Sequence, residues 1–160
     1  MRSFINKIVA LTAVAACMIS CAKDDSTPSR YIDKALVGEW HLTAAVSEGC
    51  EIDTDTDIYM VLSQDGTFDL YQKGPDQLRY ERFKGIWYCL DGIVMGEYSD
   101  GSDWGASYIP KVSGNILIFS SMDLMETQTY KKGSLSESEK QNAVLITTAK
   151  SAPAVTSPIL

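Results

Sequence analysis

The side chains able to do acid–base or metal chemistry are few and scattered. His41 is the single histidine of the 160 residues, so a Ser-His-Asp triad or a histidine-bearing zinc site would have to be built around it. Alternation places it on the strand face opposite Trp40, where it reads as an exposed strand histidine. The run Asp53-Thr54-Asp55-Thr56-Asp57 begins like a calcium loop, whose alternate carboxylates converge on the ion. Ile58 then stands where the tight-turn glycine belongs, and Gln64 where a bidentate glutamate closes the shell. The loop therefore reads as an acidic, solvated entry to a strand. There is no Gly-rich phosphate loop and no Gly-x-Ser-x-Gly elbow. Asp69, Glu81 and Glu97 read as outer-face strand residues rather than a glycosidase pair. The sequence predicts a non-enzymatic protein with no metal and no cofactor.

The cysteines carry a different chemistry. Arg2 and Lys7 precede an uncharged run, Ile8 to Ile19, which closes on small Ser20 just before Cys21. This is the charged, apolar and small-residue order of an export signal, and the run is too short to span a bilayer. Met18-Ile19-Ser20-Cys21 resembles the lipobox of bacterial lipoproteins. The resemblance implies that the Cys21 thiol is lipidated and that residues 1–20 are then removed. Burial of an acyl chain stabilises by about 0.8 kcal/mol per methylene, and one chain alone anchors only marginally; lipoproteins of this kind carry more than one. Cys17 leaves with the signal, so Cys50 and Cys89 remain, either as the candidate disulfide of an exported protein or as two separate thiols. Residues 21–34 read as a flexible polar tether. Within it, Lys23-Asp24-Asp25 resembles the surface-export signal of lipoproteins in some Gram-negative gut commensals. That likeness implies the outer membrane, with the cell surface favoured over the periplasmic face.

Charge narrows the partners. Removing Arg2 and Lys7 with residues 1–20 takes the 14 basic side chains to 12 against 21 acidic, and the formal charge from −7 to −9. Phosphate backbones repel such a chain, which excludes nucleic acid. A polybasic grip on anionic lipid is excluded for the same reason, so membrane contact should come through the lipid on Cys21. The roughly 140 mature residues support one domain.

The elements that would position any site are strands. From Leu36 to Lys132, short runs rich in Ile, Val, Tyr, Trp and Thr are broken by Asp65-Gly66, Asp91-Gly92, Asp100-Gly101 and Gly114-Asn115. The expected strands are 37–46, 57–63, 67–73, 79–90, 93–99, 103–112, 116–120 and 125–131. No helical run is long enough for a crossover, which argues against parallel pairing. Eight strands joined by tight turns predict an all-β fold: an antiparallel up-and-down barrel over residues 35–132, which leaves no open edge.

Register follows from apolar faces. A three-residue Gln64-Asp65-Gly66 loop, with Gly66 left-handed, pairs Leu62 with Phe68 and Met60 with Leu70; a two-residue turn would separate those faces. A two-residue Gly114-Asn115 turn brings Leu117 opposite Val112 and Phe119 opposite Pro110. Beyond the barrel, Ser134 with Glu137, or Ser136 with Glu139, forms a capping box for a short helix over Glu137–Asn142, within residues 133–149. Residues 150–160 read as a disordered tail.

Leu36-Val37-Gly38-Glu39-Trp40 meets a family. A Gly-x-Trp on the first strand of such a barrel resembles the opening motif of lipocalins. The later segments Asp65-Gly66-Thr67-Phe68, Lys84-Gly85-Ile86-Trp87, Ser99-Asp100-Gly101-Ser102-Asp103-Trp104 and Glu126-Thr127-Gln128-Thr129-Tyr130 resemble the short lipocalin-like domain of Gram-negative lipoproteins. The resemblance implies that Gly38 lets the first strand bend and that Trp40 plugs the closed end. Lipocalins set an arginine against that tryptophan, whereas here Lys131 and Lys132 are the nearest basic residues, and the Thr-Asp-Tyr motif is absent.

The aromatic set has two readings. Phe68, Trp87, Trp104 and Tyr108 form a candidate pocket for a small apolar or amphipathic ligand, with Trp104 near a barrel mouth. The same residues also read as plain core, because an eight-stranded barrel can be just filled by its own side chains, and compact strands with short turns favour filling. The first reading makes the protein a lipid-anchored carrier. The second makes it an interaction protein that contacts another envelope component or a host molecule.

Overall fold

The computed structural model describes residues 29–52, 55–123, 125–147 and 160. The lipobox, Cys21 and the first part of the tether lie outside them. Among the described residues no helix is long and apolar enough to cross a membrane.

Eight antiparallel strands close into a barrel: β1 (Gly38–Ser47), β3 (Asp57–Leu62), β4 (Thr67–Lys73), β5 (Glu81–Leu90), β6 (Ile93–Tyr98), β7 (Tyr108–Ser113), β8 (Ile116–Ser121) and β9 (Glu126–Lys132). Each pairs with its neighbour along the chain, and β9 returns to β1. Alternation decides the faces. On β3, Ile58, Met60 and Leu62 are buried while Tyr59 and Val61 are half-buried; on β8, Leu117, Phe119 and Ser121 point in. One residue interrupts this order. The register with β9 shifts between Leu42 and Ala44, so Thr43 bulges outward and Ala45 resumes the inward face.

The expected hairpin registers form. Leu62 pairs with Phe68 and Met60 with Leu70, and Gly66 takes φ 84°, a left-handed conformation that favours glycine. Its carbonyl accepts from the Trp87 amide at 2.8 Å, extending the ladder one step past β4. Val112 pairs with Leu117 and Pro110 with Phe119. The capping box settles on Ser136: its hydroxyl accepts from the Glu139 amide at 3.3 Å and opens α1 (Glu137–Asn142).

Several expectations are corrected. The sixth strand, expected over 103–112, begins its ladder only at Tyr108. Asp103 makes an isolated bridge to Glu97, and the chain then leaves the sheet. The cause is Trp104, whose indole turns in over Gly96 so closely that a Cβ there would lie 2.1 Å from Cε2. Two short strands escape the periodicity: β2 (Cys50–Ile52), folded back on β1, and β10 (Val144–Leu145).

β10 pairs in parallel with β5, against expectation. Its place is open because β6 begins pairing only at Gly85, which leaves the edges of Glu81 and Arg82 free. The Val144 amide donates to the Tyr80 carbonyl at 2.8 Å and that of Ile146 to Arg82 at 2.9 Å. The tether also ends earlier than Lys34. Tyr31 and Cys89 exchange backbone hydrogen bonds at 3.0 and 2.7 Å, continuing the sheet beside β5 where β4 has ended. Of the expected tail, residues 150–159 lie outside the described residues; Leu160 is described and is buried in the core at 3% exposure.

Candidate functional site

Three of the four candidate pocket residues come together inside the barrel. Phe68 on β4 meets Trp104 edge-on at 5.2 Å between ring centroids, and Trp104 meets Tyr108 at 6.4 Å. The contacts run on in both directions. Tyr98 joins Phe68 at 5.5 Å and Phe83 at 6.2 Å, while Tyr108 stacks on Phe119 at 5.4 Å, which meets Tyr130 at 5.9 Å. Seven rings thus form one unbroken chain, and none of them is more than 5% exposed. Edge-to-face pairs of this kind add roughly 0.5–1.5 kcal/mol each beyond burial. Trp87 is buried in the same core, with its indole N–H donating to the Ser63 carbonyl at 3.1 Å, beside the β3–β4 turn.

A polar seam runs through this core. Gln128 on β9 is fully buried; its amide nitrogen donates to the Tyr108 hydroxyl at 3.3 Å and to Glu126, and its amide oxygen accepts from the Tyr130 hydroxyl. Burial raises the phenols of Tyr108 and Tyr130 above the ordinary tyrosine range, so both stay neutral, Tyr108 accepting from Gln128 and Tyr130 donating to it. Sequence reasoning missed Gln128. Its signal was there, since strict alternation on β9 puts it on the same inward face as Tyr130.

Trp40, near the start of β1, is fully buried. Its indole N–H donates to the Leu36 carbonyl at 2.8 Å, and the Lys132 ammonium lies 5.3 Å from the ring centroid. Gly38, at φ 149°, takes a conformation that L side chains rarely adopt as the chain turns into β1.

His41 lies on the outer face, half-exposed and stacked on Tyr59 with centroids 4.4 Å apart. Its Nε2 is 2.8 Å from an Asp57 oxygen, and the other Asp57 oxygen accepts from the Tyr80 hydroxyl. Burial, then that bond, pushes the Tyr80 phenol well up. Tyr71, Tyr80 and Leu135 form a small second core outside the barrel, packed by Tyr59, Val61 and Ala143. Ion pairs rim it: Arg82 to Asp69 at 2.8 Å, and Lys140 to Glu39 and to Glu137, each at 2.9 Å. Asp57 therefore serves a hydrogen-bond network that ties β1, β3 and the start of β5 together. Asp53 and Thr54, the first two positions of the calcium-like loop, lie outside the described residues.

Two open crevices flank the helix. One of about 220 Å³ is lined by Lys73, Leu78, Arg79, Tyr80, Glu139 and Asn142, and Leu78 on its rim is 99% exposed. Another of about 310 Å³ lies over Tyr71, Arg82 and Lys140. The β2–β10 additions and the outer tyrosines were not legible as a site, because half-buried tyrosines on a strand's outer face look like ordinary alternation.

Cys50 and Cys89 are both free, which removes the candidate disulfide. Cys50 is exposed where β2 folds back on β1, and Cys89 points into the core from β5, with β3 and β4 between them.

No family model matches the chain, and no curated protein sequence matches it. Among solved structures it is similar to a lipoprotein, YedD, from Klebsiella pneumoniae subsp. pneumoniae MGH 78578. The identity is 12% over 73% of this chain and 89% of that one, with a TM-score of 0.46.

Proposed function

We propose that this protein is a lipid-anchored, non-enzymatic envelope protein whose barrel is filled by its own side chains and which acts by contacting a second envelope component or a host molecule. The seven-ring chain from Phe83 to Tyr130 carries this reading. A carrier needs a concave apolar void for its cargo, and here the residues that would line one are in contact with each other. The outer face offers what a partner would meet instead. Leu78 stands fully in solvent beside a crevice with Lys73, Arg79 and Glu139. An exposed apolar anchor ringed by charge is the arrangement of an interface centre and its rim.

The lipobox resemblance supports a membrane anchor through Cys21, and the acidic pair behind it supports the outer membrane with the domain turned to the cell surface. A photoreactive amino acid at position 78, with the exposed Ile109 on β7 as control, tests the interface in intact cells. Crosslinked adducts at 78 and none at 109 are expected. Native mass spectrometry of the protein from its own membranes provides the counter-test: a small apolar molecule retained in stoichiometric amount would restore the carrier reading.

A further inference from the structure

Leu160 stands alone among the described residues beyond Thr147, and it is not at the surface. Its side chain joins the main core at 3% exposure, and the Tyr98 hydroxyl donates to its carbonyl oxygen at 2.8 Å. Its backbone passes over Gly105, where an added Cβ would sit 3.8 Å from the Leu160 carbonyl carbon and oxygen. Tyr98 is itself only 4% exposed and is walled by Phe68 and Phe83. Beside Gly105, the indole nitrogen of Trp104 is buried with no partner among the described residues. Leaving a buried donor unsatisfied is costly, so this one is available to an acceptor.

These groups meet where the barrel wall is thinnest. Between β6 and β7 the ladder is the single pair Val94–Tyr108, helped by the Glu97–Asp103 bridge and the Trp104 amide donating to Gly96 at 2.9 Å. Residues 105–107 leave the sheet, and a crevice of about 420 Å³ opens over Met95, Gly96, Trp104 and Ala106. Tyr98 and Leu160 do not line that crevice; they lie in the core, where Phe68 and Phe83 wall the phenol, the Leu160 side chain fills apolar space and its carbonyl satisfies the hydroxyl. Burial keeps that phenol above the ordinary tyrosine range and therefore a donor at every physiological pH.

We propose that the β6–β7 mouth is a binding seat for a branched aliphatic group with an adjacent carbonyl, and that Leu160 holds it as the chain's own ligand. This is independent of the outer-face contact above, which needs neither Tyr98 nor Leu160. A tethered occupant acts at an effective concentration of roughly millimolar, so a free competitor is excluded until the tail residue is changed.

The test uses the full chain as wild type, Leu160→Asp and Leu160→Ala, with N-acetyl-leucinamide as probe and the Trp104 indole N–H resonance as readout. In wild type the probe should leave the resonance in place. In both variants the resonance should move, and the probe should return it saturably toward the wild-type position. Adding Tyr98→Phe to the Leu160→Ala background should weaken the probe about fivefold, the loss of one ordinary hydrogen bond. Near-UV circular dichroism verifies the fold of each variant, and Leu160→Ala alone decides if the aspartate perturbs it. An unmoved resonance in folded Leu160→Ala would show the seat empty of Leu160. Probe binding that is equal in wild type and variant, or absent from both, would remove the seat itself.

Discussion

The Lys132 ammonium rests 5.3 Å from the centroid of the Trp40 indole, at the end of the barrel where β9 meets β1. The lipocalin-like opening motif set Trp40 against a missing arginine; in this chain a lysine from the last strand covers the ring. The two residues contribute differently. Trp40 is fully buried, and replacing it with Ala should cost about 3–5 kcal/mol by the rule for large core truncations. Lys132→Met keeps the aliphatic stem and removes the charge, so its cost should be about 0.5–1 kcal/mol, the worth of an exposed cation–π contact. Urea denaturation of the two variants checks both numbers. Equal losses would mean that the charge, not the burial, sets what this pair contributes.

The thin β6–β7 seam gives a second prediction, from two glycines nine residues apart. At Gly96 a Cβ would lie 2.1 Å from Trp104 Cε2, while at Gly105 the nearest atom is 3.8 Å away. A rigid indole cannot yield by more than an ångström without leaving its well. Gly96→Ala should therefore destabilise by about 1–3 kcal/mol, as overpacking does, and shift Trp104 emission. Gly105→Ala should fold with wild-type stability. Chemical denaturation followed by tryptophan emission separates them.

Much of this was legible beforehand. The pairing of Leu62 with Phe68 followed from refusing to split two apolar faces, and the helix start at Ser136 from a cap and a glutamate three residues on. Each is a local rule with a short reach. What escaped was decided by tertiary contact. Thr43 bulges because two strands must slip past each other, and nothing in His41-Leu42-Thr43-Ala44 announces it. Trp104 and Tyr108 were rightly placed on one face, but the indole's claim on the space above Gly96 breaks the strand between them. Leu135, in a serine-rich stretch, and Leu160, behind two prolines, have no periodic neighbours, so their burial could not be read from pattern.

Buried phenols predict an alkaline limit to stability. Tyr98, Tyr108 and Tyr130 are raised chiefly by burial, and Tyr80 by burial and its bond to Asp57. In the unfolded chain each ionises near pH 10. Below that pH both states hold the proton and nothing is lost. Above it the unfolded chain releases protons that the native state keeps, so the linkage slope is negative and stability falls with rising pH. Each such tyrosine contributes up to about 1.4 kcal/mol per pH unit. Denaturation midpoints should be flat from pH 8 to 9 and fall steeply above 10. Tyr130→Phe should make that fall shallower, and a slope unchanged by it would place the ionising group elsewhere.

The anchor prediction concerns Cys21 and is independent of the barrel. Lipidation needs the thiol as nucleophile, and serine offers a hydroxyl whose far weaker acidity leaves almost no anion at neutral pH. In Cys21→Ser the apolar segment from Ile8 to Ile19 should still direct export, but the acyl chains should be missing. Radiolabelled palmitate should enter the wild-type protein and not the variant, and the variant should leave the membrane fraction or keep its signal. The folded domain should be indifferent, with the same denaturation midpoint in both proteins, because Cys21 lies ahead of Arg30 and Tyr31, the first of the described residues that contact the barrel. Label retained by Cys21→Ser would show that the lipid is carried elsewhere, and a midpoint that falls with it would tie the tether to the fold.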